Sequence, residues 1–103
     1  MAAITRITKE EAQRRLGNVP EEYVFYCNDG RVLRNLNELE DALKSMSDDV
    51  FAYHISQEKN DFSNWITYII KDEALARQLS RANSRARAAT IVKERIDFLS
   101  RKV

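Results

Sequence analysis

One histidine and one aspartate have the residue types and spacing for acid–base or metal chemistry. His54 is the only histidine of the chain, and Asp61 follows it seven residues later. An imidazole can act as a general base, and it can also bind a metal. A protein metal site usually needs three or four ligands, however, and the chain has no second histidine and only one cysteine. We therefore predict no metal site and no catalytic residue.

Two interpretations of this region stay open. In the first, His54 packs and hydrogen-bonds within the domain and connects its helix to the loop at Asn60. In the second, His54, Asn60, Asp61 and Trp65 contact a binding partner, since a lone tryptophan is often partly exposed at an interface. The sequence favours the structural interpretation.

Trp65 and the neighbouring Phe62 are most simply residues of the hydrophobic core. A groove lined by Trp65 together with Tyr53 and Tyr68 is the second interpretation. Large aromatic side chains serve both purposes, because they bury much apolar surface in a core and much contact area in an interface.

The paired carboxylates of the chain are explained without catalysis. They stand at Glu10 and Glu11, at Asp48 and Asp49, and at Asp72 and Glu73, each at a predicted helix start. Negative charge is favourable there because of the helix dipole. The sequence contains no phosphate-binding glycine loop, nucleophile elbow or zinc-protease helix. The sequence does not decide whether the chain is an enzyme, but it favours a non-enzymatic role and predicts no cofactor.

Basic side chains are concentrated in the last third of the chain. Residues 71–103 carry nine basic and four acidic side chains, whereas residues 34–70 carry three and seven. At helical spacing Arg77, Arg81 and Arg85 would share one face, an arrangement suited to phosphates. The net charge is +1, and such a face can also be a solvated surface or a contact between two copies of the chain. Nucleic-acid binding by these three arginines is the second functional hypothesis.

Length and composition are those of one globular domain. The chain has 103 residues, of which 44% are hydrophobic and 32% charged. No apolar run reaches the roughly 20 residues that span a bilayer, and the N-terminal residues lack the order of a signal peptide. Cys27, the single cysteine, cannot form an internal disulfide, which fits a reducing compartment. We predict a cytoplasmic protein with no membrane contact.

A β-hairpin is predicted near the N-terminus. Residues 22–27 and 31–33 are rich in aromatic and branched apolar side chains. Asn28, Asp29 and Gly30 lie between them, and glycine can take the positive φ that a tight turn requires.

Helix starts are predicted from capping residues, and only two glycines and one proline interrupt the chain. The candidate caps are Thr8, Asn35 or Asn37, Ser47, Asn60 or Asp61, and Ser84. Residues 60–70 have a wide apolar face and form the predicted central helix. A break at Asn83 and Ser84 is favoured over one helix of about 40 Å running from Leu75 to the end of the chain.

Five short segments resemble a small archaeal and bacterial family of uncharacterised domains. In order they read FYCNDGRVL, LNELEDAL, VFAYH, NDFSNW and DEALA, and the similarity extends over residues 24–99. Members of that family stand alone or are attached to larger proteins, some of them sugar-metabolising, and no activity is assigned to the domain. The signature positions implied by the resemblance are Asp29, Gly30, His54, Asn60, Asp61, Phe62 and Trp65. The resemblance does not say whether these positions are structural or functional.

These observations predict a mostly helical α+β fold, with one N-terminal β-hairpin packed against a bundle of four to six short helices. Residues 1–20 form an N-terminal helix or arm, and residues 21–103 a single domain. The first functional hypothesis is a non-enzymatic protein-interaction or accessory module that binds a protein partner or itself. Nucleic-acid binding is the alternative, and a small enzyme or carbohydrate-associated module around His54 and Asp61 is a weaker one.

Overall fold

The computed structural model describes residues 7–56 and 58–103, so residues 1–6 of the predicted N-terminal arm lie outside the described residues. In chain order the helices are α1 Lys9–Leu16, α2 Leu36–Ser45, α3 Asp48–His54, α4 Asp61–Trp65, α5 Glu73–Ser80 and α6 Arg85–Ser100. The strands are β1 Phe25–Tyr26 and β2 Val32–Leu33. The predicted α+β, mostly helical class is confirmed.

Every one of these helices begins at a side chain that caps it. The caps are Thr8, Asn35, Ser47, Asn60, Asp72 and Ser84, and each accepts a hydrogen bond from the backbone N–H three residues later. Such a bond satisfies one of the N–H groups that a helix start leaves unpaired. Where the sequence left two candidates, the structure selects Asn35 over Asn37 and Asn60 over Asp61.

The hairpin is present, but its strands are shorter than predicted. Phe25 pairs with Leu33 and Tyr26 with Val32 in an antiparallel register. Residues 21–23 form a 3₁₀ turn instead of extending β1, because the Tyr23 N–H donates to the Pro20 carbonyl oxygen at 2.9 Å. Gly30 closes the hairpin with φ of 95°, as the prediction required.

The predicted central helix is present, with one irregularity. After α4 the chain continues as a π-helical turn, Ile66–Ile70, in which the Lys71 N–H donates to the Ile66 carbonyl oxygen at 2.7 Å. Lys71 ends the turn in the left-handed conformation, with φ of 64° and ψ of 48°. Phe25 of the hairpin stacks on Phe62 of α4 with ring centroids 5.1 Å apart, so the hairpin covers this helix.

The hydrophobic core lies where the helices pack against one another. α2 packs against α6, α1 packs on α6, and α4 with its π-helical turn packs on α5. The largest fully buried apolar side chains are Leu36, Leu39, Leu43, Phe62, Ile66, Ile70, Leu75, Leu79, Val92 and Leu99. The predicted break is confirmed, since Ser84 caps α6 after α5 has ended at Ser80. Among the helices described, none is long and apolar enough to cross a membrane.

Candidate functional site

His54 lies at the junction of the hairpin turn, α3 and α4. Its side chain is 4% exposed, and its Nε2 accepts a hydrogen bond from the Asn28 N–H at 3.0 Å. Since Nε2 is an acceptor, the ring proton of the neutral imidazole is on Nδ1, which donates to Asp61 Oδ2 at 3.0 Å. The ring also packs against Phe25 and Phe62, with centroids 5.1 and 5.2 Å away.

This arrangement differs from a catalytic histidine–aspartate pair in one decisive respect. In a catalytic pair, the nitrogen opposite the aspartate faces the substrate and accepts its proton. In His54 a backbone N–H from the hairpin turn occupies that nitrogen. Within residues 7–56 and 58–103, no group of three or more histidine, cysteine, aspartate or glutamate side chains is placed to hold a metal ion. The hydrogen bonds and ring contacts of His54 connect the hairpin turn, α3 and α4.

Asn60 and Asp61 also form hydrogen bonds within the domain. Asn60 caps α4 through its Oδ1, and its Nδ2 donates to the Leu79 carbonyl oxygen at 3.2 Å. Burial alone would raise the pKa of Asp61, but hydrogen bonds from His54 and Lys59 outweigh it and hold that pKa below its ordinary value. Asp61 therefore stays ionised while it accepts both bonds.

Trp65 is 6% exposed, and its Nε1 donates to the Tyr23 carbonyl oxygen at 2.8 Å. Tyr53 and Tyr68, by contrast, are 60% and 71% exposed. The ring of Trp65 is thus not available to line a groove with the two tyrosines. It holds the chain before β1 against α4.

Cys27 is buried and unpaired. Burial raises the pKa of its thiol, which disfavours the reactive thiolate. The residue serves as a small apolar side chain beneath the hairpin.

A different surface carries two largely exposed tyrosine side chains. Tyr23 and Tyr68, 52% and 71% exposed, line one cavity of about 320 Å³ together with Arg14 and Lys71. A second cavity, of about 590 Å³, shares Tyr68 and Lys71 with the first. We call the four residues Arg14, Tyr23, Tyr68 and Lys71 the tyrosine surface.

The buried carboxylate of Asp72 holds two arginines beside the tyrosine surface. Asp72 is fully buried, caps α5, and accepts two bonds from the Arg95 guanidinium at 2.8 and 2.9 Å. The Arg15 guanidinium lies 3.4 Å from the same carboxylate. Arg15 and Arg95 both line the larger cavity, so Asp72 fixes two cations at its wall.

A second network fixes Arg14. Side-chain hydrogen bonds from Arg14 and Arg15 lower the pKa of Glu11 to about 2. The Arg14 guanidinium also donates to the Ile70 carbonyl oxygen at 2.9 Å, at the end of the π-helical turn. The tyrosine surface is therefore held by α1 on one side and by Asp72 on the other.

Lys71 is the one residue of the surface whose backbone is energetically unfavourable. A left-handed conformation costs an L-residue with a Cβ roughly 1–2 kcal/mol, and Lys71 is the single described non-glycine residue with positive φ. Its side chain is exposed and forms no ion pair with any carboxylate among the residues that the structure describes. Such outliers concentrate at functional sites.

The three arginines predicted for nucleic acid do not share one face. Arg77 and Arg81 line a cavity between α5 and α6, but Arg85 binds elsewhere. Its Nε donates to Asp48 at 3.1 Å, and its Nη1 donates to the carbonyl oxygens of Leu43 and Lys44 at 2.8 and 3.0 Å. The shared face expected for the three arginines is therefore not formed, since α6 begins anew at Arg85, and their binding of nucleic acid stays a prediction.

Comparison with known proteins adds one finding. A family model described as a family of unknown function, DUF5752, matches residues 21–100, which includes every element from the hairpin to α6. No curated protein and no solved structure matches the chain. The resemblance to a family of uncharacterised domains is confirmed at this level.

Proposed function

We propose that this chain, which belongs to the DUF5752 family of unknown function, is a non-enzymatic module that binds another protein through the tyrosine surface. One observation carries the proposal. Two largely exposed tyrosine rings flank a cavity beside a lysine that keeps an unfavourable backbone conformation. The unpaired, buried cysteine fits a reducing compartment and supports a cytoplasmic location.

The composition of the surface supports protein binding. Tyrosine and arginine are enriched among the residues that contribute most to protein–protein affinity, since both offer a large contact area and a polar group. Arg14 is fixed by Glu11 and by the Ile70 carbonyl oxygen, so little side-chain freedom is lost when a partner binds. The predicted partner-binding residues His54, Asn60, Asp61 and Trp65 already use their polar groups inside the domain.

Charge favours a different protein over a second copy of this chain. A symmetric dimer contact would place the same patch on both sides, so Lys71 of one copy would approach Lys71 of the other. Like charges facing each other across an interface are costly. A partner with acidic residues at this position avoids that repulsion.

Charge also favours a protein over nucleic acid. The chain carries a net charge of +1, whereas domains that bind nucleic acid usually present a strongly basic surface. In the tyrosine surface Arg14 is already paired with Glu11 at 2.6 Å. Lys71 is left as the one cation there without an ion pair among the described residues.

Replacing Tyr68 by alanine is the test. We expect Tyr68→Ala to abolish retention of the partner in affinity capture from an extract of the source organism, because truncation of a tyrosine that is a binding hot spot costs about 2 kcal/mol or more. Tyr26→Ala is the matched control, since Tyr26 is also 71% exposed but lies on the hairpin. The captured protein is then purified, and its binding is measured with each variant.

Loss of binding with Tyr68→Ala alone supports the proposal. Equal retention by both variants and the parent protein contradicts it. Light scattering of the isolated protein reports whether a second copy occupies the surface instead, and a dimer that Tyr68→Ala dissociates would overturn the choice of a different partner.

A further inference from the structure

The cavity between α5 and α6 has an unusual lining. It measures about 420 Å³, and Arg77, Arg81 and Arg87 contribute three guanidinium groups to it. Glu94 is its one acidic residue, and Ala74 and Ile91 are apolar. We call the lining of this cavity the arginine groove. Arg87 occupies the place in it that the sequence assigned to Arg85.

These three arginines differ from most of the others in lacking a carboxylate partner. The arginines with a carboxylate within ion-pair distance are Arg14, Arg15, Arg31, Arg34, Arg85 and Arg95. Across the described chain, Arg77, Arg81 and Arg87 have no such partner, and Arg101, which lies outside the groove, is the remaining one without it. The unpaired guanidiniums are therefore largely gathered in one cavity.

Arg77, Arg81 and Arg87 are exposed, so solvent weakens their mutual repulsion, and an anion bound between them removes what is left of it. A guanidinium offers a planar set of donors that matches a carboxylate or a phosphate with two parallel hydrogen bonds. The groove thus has the chemistry of an anion site made by side chains of two helices.

We infer that an acidic peptide segment of the protein partner binds in the arginine groove, an inference that rests on the proposed function. The groove adjoins the tyrosine surface, because Ala74 lines both the groove and the larger cavity that contains Tyr68. The apolar lining suits the aliphatic parts of a peptide. Glu94 opposes the continuous negative charge of a nucleic acid strand, while a peptide can place a neutral or basic residue against it.

The test measures binding of a labelled acidic peptide, Glu-Glu-Gly-Gly-Glu-Glu, by fluorescence anisotropy, because its glycines leave a neutral stretch that can face Glu94. The variant replaces Arg77 and Arg87 with glutamine, and Arg101→Gln is the matched control that removes an unpaired arginine outside the groove. We expect the affinity to fall about two- to fivefold for each groove arginine removed, as for exposed ion pairs, and to stay unchanged with Arg101→Gln. Thermal melts verify that the variants are folded, and a labelled single-stranded oligothymidylate is titrated in parallel.

Equal peptide affinity of the parent protein and the groove variant overturns the inference, and so does the absence of measurable binding to the parent protein. Tighter binding of oligothymidylate through the same arginines assigns the groove to nucleic acid and overturns it as well. Tyr68→Ala separates this result from the proposed function, because the glutamate–glycine peptide has no aromatic or apolar side chain for the tyrosine surface. Capture of the partner can therefore depend on Tyr68 even if the peptide does not bind the groove. Equally, the peptide can bind the groove even if capture does not depend on Tyr68.

Discussion

Replacing Asp72 with asparagine is expected to lower the free energy of unfolding by about 3–5 kcal/mol, the range measured when one member of a buried ion pair is removed. Asp72 is fully buried and accepts bonds from Arg95, with Arg15 3.4 Å away. An asparagine can still cap α5, but it leaves the partly buried Arg95 guanidinium without its described carboxylate partner, while Arg15 keeps Glu11 alone. The cost therefore comes from the arginines and not from the helix cap.

Urea denaturation of the parent protein and the variant measures this difference. Asp48→Asn is the control, since Asp48 also pairs with an arginine, at 3.1 Å from Arg85, but its side chain is 89% exposed. We expect the control to change the unfolding free energy by about 1 kcal/mol or less. If the two substitutions cost the same, Asp72 does not hold the network together.

Replacing His54 with alanine is expected to destabilise the protein by about 2–4 kcal/mol. The substitution removes a ring packed against Phe25 and Phe62 and leaves the Asn28 N–H without its acceptor. The cavity and the unsatisfied donor each contribute. Thermal and urea unfolding provide the measurement.

The neighbouring Tyr53→Ala is the control for His54, because Tyr53 is 60% exposed and its loss should cost about 1 kcal/mol or less. If His54→Ala melts at the temperature of the parent protein, the structural account of His54 is wrong. A variant that is stable but no longer binds a partner would restore the interpretation of His54 as a contact residue.

Local chemistry made the fold predictable. A helix cap bonds to an N–H three residues away, so Thr8, Ser47 and Ser84 could be identified from neighbouring residues alone. The turn at Gly30 was predictable for the same reason. The choice between Asn35 and Asn37 was not, because both stand before the same apolar pattern.

The candidate site was much less predictable, because residues far apart in the sequence form it. Asp72 was explained as a helix-start carboxylate, and it does cap α5, but its partner Arg95 is 23 residues away. Lys71 gave no indication of a left-handed turn, since glycine or asparagine usually occupies that position. Arg87 was missed because the shared face was predicted for one continuous helix through Arg85, whereas α6 begins anew at Arg85 and places Arg87 in the cavity with Arg77 and Arg81.

The signature positions implied by the family resemblance have internal partners. Asp29 accepts from the Arg31 N–H at 3.1 Å, and Gly30 supplies the positive φ of the turn. His54 and Trp65 each bond to backbone groups of the segment that includes the hairpin. Side chains with such internal partners stabilise the fold, so the residues that bind a partner have to be sought on the exposed surface.

The most direct test of the tyrosine surface is Lys71→Gly, measured for stability and for partner binding together. Glycine adopts φ of 64° without the Cβ penalty, and this gain offsets the greater freedom of glycine in the unfolded chain. We predict a melting temperature no lower than that of the parent protein, together with loss of partner binding. This result would mean that Lys71 contributes to binding and lowers the stability of the fold. Unchanged binding by a folded Lys71→Gly protein would contradict the account.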